Sequence, residues 1–169
     1  MRRFLQLLPV LLILAACADD PTPPSASNNG ECEETPGITY RTDAQLTFLR
    51  PDSTVIKEIG IEIVARASTI QRGLMQRQCL PDDWGMLFVF PNAAPRTFYM
   101  ANTPRSLDIM FFSADSTLLN VAKYAEPFDP NVLPSDGPAR FVVETPAGFA
   151  DRFGLGAGDR IMWTAPSAN

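Results

Sequence analysis

The apolar residues of this 169-residue chain fall in short or alternating runs cut off by Pro, Gly, Asp and Ser, and that punctuation limits the fold more than any other feature. Eight runs have strand length: Gln45 to Arg50, Val55 to Val64, Met86 to Phe90, Phe98 to Met100, Asp108 to Phe112, Leu118 to Tyr124, Phe141 to Thr145 and Arg160 to Trp163. Many short β-rich segments separated by turn residues predict a mainly β domain, a β-sandwich or a partly closed barrel. Pro51-Asp52-Ser53 and Ala114-Asp115-Ser116 read as hairpin turns. Two short helices complete the expectation. The first is capped by Ser68 or Thr69 and runs to about Gln78, with Ile70, Leu74 and Met75 on one face and Pro81 as its stop. The second spans Pro146 to Phe153, with Pro146 at its first position and Gly154 after its end.

The N-terminus obeys different rules. Arg2-Arg3 precedes the apolar run Phe4 to Leu14, which contains Pro9 and ends at Ala15-Ala16-Cys17. A membrane-spanning helix needs about 20 apolar residues, so this shorter run reads as a secretory signal with a small-residue cleavage site. Leu14-Ala15-Ala16-Cys17 resembles the bacterial lipobox, which implies cleavage before Cys17 and acylation of its thiol. Two or three acyl chains there would anchor the protein stably, since each buried CH₂ contributes about 0.8 kcal/mol. From Asp19 to Gly37 the chain is rich in Pro, Ser, Asn and Glu and reads as a flexible spacer. The expected organisation is a lipoprotein signal peptide over 1–16, a lipidated Cys and spacer over 17–37, one β-rich domain over 38–165 and a tail over 166–169. The expected location is the bacterial cell envelope, on either membrane.

Charge and cysteines narrow the partners. Loss of Arg2 and Arg3 with the signal leaves 12 basic residues against 19 acids, a net charge of −7. An acidic chain without a basic run does not suit nucleic acid or electrostatic binding to anionic lipid. Membrane contact is therefore expected through lipid on Cys17. With Cys17 acylated, Cys32 and Cys79 remain, and an even pair in an exported protein predicts a disulfide. It would pin the spacer to the domain.

The chain contains no His, which removes Ser-His and Cys-His catalysis and imidazole metal sites. No motif joins Ser113 or Ser135 to Lys57 or Lys123 as a Ser-Lys pair. Met75, Met86 and Met100 could offer thioethers to Cu(I), but each lies in an apolar run where Met fills core gaps. Gly154-Leu155-Gly156-Ala157-Gly158 lacks the Lys-Ser/Thr of a phosphate loop and precedes a strand, so it reads as a turn, with Asp159 bonding its backbone. No cofactor or metal is expected.

From about Ile63 to Trp163 the sequence resembles a family known only as domain of unknown function 192. The matching stretches are Arg72-Gly73-Leu74-Met75, Leu80 to Phe90, Phe98-Tyr99-Met100-Ala101-Asn102-Thr103, Leu107-Asp108-Ile109, Pro134 to Phe141, Ala147-Gly148 and Gly158-Asp159-Arg160. The resemblance implies a compact, mostly β domain and no established activity. The chain departs from the family pattern at Pro104-Arg105-Ser106, and at Ala122-Lys123-Tyr124 where the family often carries a His.

The polar set inside those stretches is Arg72, Asn102, Thr103 and Asp108, with Met100 just ahead on the same strand. Strand ends and their loops commonly form the rim of a β-barrel pocket, and Phe98, Tyr99 and Trp84 could line it. These five residues are the candidate binding site. In the structural alternative Asp108 pairs with Arg72 or Arg96 and the Asn102 side chain shapes its turn, satisfying buried polar groups. The leading expectation is a non-catalytic envelope module binding a small molecule, a glycan or another envelope protein. One alternative is a hydrolase or transferase with Asp108 as acid or base and Arg72 and Asn102 stabilising an anion; another is a purely structural envelope protein.

Overall fold

The computed structural model describes residues 38–164. The expected signal peptide, Cys17, the expected spacer with Cys32 and the tail lie outside the described residues. Among those described, nine strands and two short helices follow in the order β1 (Ala44–Leu49), β2 (Val55–Val64), α1 (Ala67–Arg72), β3 (Trp84–Ala94), β4 (Thr97–Phe98), β5 (Leu107–Phe112), β6 (Leu118–Ala125), β7 (Leu133–Pro134), β8 (Ala139–Pro146), α2 (Phe149–Phe153) and β9 (Arg160–Thr164). The domain is mainly β, as the punctuation predicts.

Seven strands form one sheet in the order β6-β5-β8-β3-β2-β1-β9, and β4 pairs with β7 in a small second sheet. All pairs in the large sheet are antiparallel except β2 with β3. The α1 segment makes that parallel crossover possible, because two parallel neighbours cannot be joined by a tight turn. The two edge strands meet through a single bridge, Thr117 to Arg160, so the sheet curls without closing into a barrel.

Alternation along the strands places apolar side chains on both faces. One core holds Leu46, Phe48, Ile61, Leu87, Met110, Phe112 and Val143 and is covered by Phe149 and Ala150 of α2. The other holds Trp84, Met86, Phe88, Met100, Ile109, Phe111 and Val142, with Ile70, Phe98 and Leu133 packed on it from α1, β4 and β7. Double coverage explains why β5 is buried at every position.

Several local expectations are corrected. Helix α1 begins at Ala67 behind Arg66, without a side-chain cap, and stops at Gly73 instead of reaching Gln78. Gly73 adopts φ 47°, and a Cβ there would lie 3.3 Å from the Phe88 ring, so a glycine ends the helix well before Pro81 can. Pro146 closes β8, and α2 begins at Phe149 behind a left-handed Gly148. The two-residue strand β7 has no counterpart among the eight expected runs. The hairpin turns stand where expected, with left-handed Ser53 and Ser116, and Asp52 Oδ1 accepts from Thr54 N at 2.9 Å. Asp159 Oδ2 likewise closes its turn by accepting from Gly156 N at 3.0 Å, and also pairs with Arg50 at 3.0 Å.

Candidate functional site

The row of residues running across the large sheet decides where polar chemistry is buried. Glu62 on β2 pairs with Met86 on β3, and Met86 pairs with Glu144 on β8. Directly paired residues share a face, so two carboxyl groups flank Met86 beneath α1 and the segment after it. Both are almost inaccessible, each 6% exposed.

Their environments differ. Glu62 Oε2 accepts from Arg77 at 2.8 Å and its Oε1 from Arg41 at 3.1 Å. Arg77 is itself buried, with its guanidinium carbon 5.1 Å from the Tyr40 ring centre and 5.3 Å from that of Trp84. Stacking and pairing together compensate part of the desolvated charge, while Arg77 Nη1 has no hydrogen-bond partner among the described residues. Glu144 Oε2 has no hydrogen-bond partner among the described residues. Burial pushes the Glu144 carboxyl up to about 8, against a weaker downward pull from Arg77, because low-dielectric surroundings disfavour the ionised form. At neutral pH it is an acid, able to donate one hydrogen bond.

Glu144 lies at a cavity of about 310 Å³. Helix α1 and its exit supply Ile70, Arg72, Gly73 and Met75; Phe88, Phe90 and Phe98 supply aromatic walls; Arg96, Tyr99 and Thr103 complete the lining. Phe98 meets Phe88 edge-on at 5.1 Å and Phe111 at 5.7 Å, which holds the wall. Arg96 lies 4.0 Å over the Phe90 ring and donates to Asn92 O at 2.6 Å and Ala139 O at 3.3 Å. Arg72 is exposed and makes no ion pair or side-chain hydrogen bond with the described residues. It also lines a shallower hollow of about 440 Å³ with Ser68, Gln76 and Asn102.

The five residues expected from sequence are therefore partly gathered. Arg72 and Thr103 line the cavity, Asn102 lies next door, and Met100 is buried in the adjoining core. Asn102 shapes its turn through the backbone: at φ 60° its carbonyl accepts from Gln76 N at 2.8 Å, a conformation Asn tolerates better than most residues. Asp108 stands apart. It is fully buried, Oδ1 accepts from Tyr124 N at 2.9 Å and Oδ2 from Ala150 N at 2.8 Å. Its partners are backbone amides, not Arg72 or Arg96, and they tie the irregular β5–β6 pairing to the start of α2. Among the other residues weighed, Lys57 pairs with Asp83 and Lys123 with Asp151, while Ser113 bonds within its own turn and Ser135 bonds Arg96 N and Gly137 O. Met86 and Met100 pack in the core and Met75 faces the cavity. No cluster of His, Cys, Asp and Glu able to hold a metal occurs among the described residues.

Residues 48–163 match DUF192, a family described as "Uncharacterized ACR". The chain belongs to this family. Two solved structures share the DUF192 chain's fold. One, from Sinorhizobium meliloti 1021 and named a candidate transcription regulator, is 28% identical with a TM-score of 0.70 over 75% of this chain and 98% of its own. The other, a protein of unknown function from Novosphingobium aromaticivorans DSM 12444, is 33% identical with a TM-score of 0.66 over 70% of this chain and 84% of its own. No curated protein matches the DUF192 chain.

Proposed function

We propose that this DUF192 chain is a non-catalytic binding module of the bacterial envelope, anchored by lipid on Cys17, stapled by a Cys32–Cys79 disulfide, and taking a small molecule into the cavity at Glu144. The observation that carries the reading is the Glu144 carboxyl, 6% exposed, in the lining of that cavity, with Oε2 buried and unpartnered among the described residues. A buried polar group without a partner costs about 1–3 kcal/mol, and a ligand that bonds it recovers that cost. A cavity near 300 Å³ that combines aromatic walls at Phe88, Phe90 and Phe98 with polar groups at Arg72, Arg96 and Glu144 fits a small-molecule site.

The acid–base reading of Asp108 gains nothing from its surroundings, since both oxygens already accept backbone hydrogen bonds. Nor does transcription regulation gain support: the chain carries a net charge of −5, and its described helices have six and five residues. A fragment library observed by amide NMR tests the binding reading. Hits should converge on the amides of Gly73, Tyr99 and Thr103; a library that shifts none of them sinks it.

A further inference from the structure

The cavity's charges say what kind of molecule would fill it. Its lining carries two permanent cations, Arg72 and Arg96, and one acidic residue, Glu144. Arg96 is spent on Asn92 O, Ala139 O and the Phe90 face, so it contributes charge more than free donors. Arg72 keeps its whole fork available, and a guanidinium binds a carboxylate through two parallel hydrogen bonds. Glu144, held as the neutral acid by burial, adds no negative charge at neutral pH and presents a donor. Even when ionised it leaves the lining net positive. Arg77 and Glu62 form a buried ion pair beside this site, of no net charge, and do not reverse that sign.

We infer that the ligand is a small organic carboxylate, with its anionic head on Arg72, an apolar or aromatic body against Phe88 and Phe98, and a polar end toward the Glu144 carboxyl. This rests on the small-molecule reading above and specifies its chemical class. The size is consistent. At ~30 Å³ per water, about 310 Å³ holds roughly ten waters, which suits a single ring with two short polar ends.

The test compares three compounds of one frame on the full-length chain in detergent micelles at pH 7: 4-hydroxyphenylacetate, its neutral amide and the cationic amine tyramine. Binding is read by calorimetry and by the amide shifts of Gly73 and Thr103. The carboxylate should bind at least about tenfold tighter than the amide or the amine. Arg72→Gln should erase that preference while leaving the amide's affinity unchanged, which also shows that the variant is folded. Preference for tyramine, equal binding of all three, or binding of none overturns the carboxylate assignment. If fragments still converge on the cavity, the small-molecule reading survives that result; if they do not, both fall.

Discussion

Glu144 and Asp108 are both acids buried in the interior, and their partners separate their tasks. Each Asp108 oxygen accepts from a backbone N–H, so Asp108→Ala strands one buried and one half-buried donor and should cost about 2–4 kcal/mol. Asp108→Asn keeps one acceptor and should cost about half of that. Urea denaturation measures both, and a loss below about 1 kcal/mol for the Ala variant would remove the structural role. Glu144 predicts a pH effect of the opposite character. Its ordinary value of 4.5 is raised to about 8 by burial, so between these pH values the folded chain holds a proton that the unfolded chain has released. Stability from this group is complete below pH 4.5, falls as pH rises toward 8, and is flat beyond. The charged groups adjoining it are Arg72, Arg77, Arg96 and Glu62. Glu144→Gln should remove on the order of a few kcal/mol of this decline, seen as a smaller difference between unfolding free energies at pH 5 and pH 8. Equal differences in the two proteins would show that Glu144 is not a buried acid.

At the level of elements, strand existence was legible wherever a run alternates. Val55 to Val64 and Leu118 to Tyr124 match β2 and nearly all of β6. Pairing was not legible, because it depends on contacts between segments far apart in sequence. Glu144 shows the consequence. In Phe141-Val142-Val143-Glu144-Thr145 it reads as the one charged residue after an apolar run; only the position of β8 between β5 and β3, under α1, buries it. An acid inside a predicted strand, directly after three apolar residues, is the available signal. Gly73 ends helix α1 well before Pro81, whose stronger helix-breaking signal predicts a longer helix, and β7 is too short to carry a period. Gly85 tests the β3–β8 contact directly. A Cβ there would lie 2.8 Å from the Glu144 carbonyl oxygen, and that oxygen belongs to the strand backbone, which cannot swing aside. Gly85→Ala should therefore destabilise the domain by about 1–3 kcal/mol and shift the amides around Glu144. An unchanged melting temperature would contradict so close an approach.

For the whole molecule, the candidate site was half legible: Arg72, Asn102 and Thr103 lie along the cavity and its neighbouring hollow, while the acid at the cavity was missed and Asp108 serves the backbone. Location rests on different residues altogether. The proposed anchor is Cys17: the described residues include no helix long and apolar enough to cross a membrane, and the charge of −7 left by the proposed cleavage repels anionic lipid. Membrane association should then depend on a single thiol. In a detergent phase-separation assay the full-length chain expressed in a bacterial host should enter the detergent phase. Cys17→Ser should move entirely to the aqueous phase and lose incorporation of labelled palmitate, because removing two or three acyl chains removes about 0.8 kcal/mol for every buried CH₂. The substitution lies far in sequence from the cavity residues, so carboxylate binding should survive it. A Cys17→Ser protein that stays with the detergent would show a second membrane contact, and the exposed Tyr99, Phe128 and Val132 would be the first residues to change.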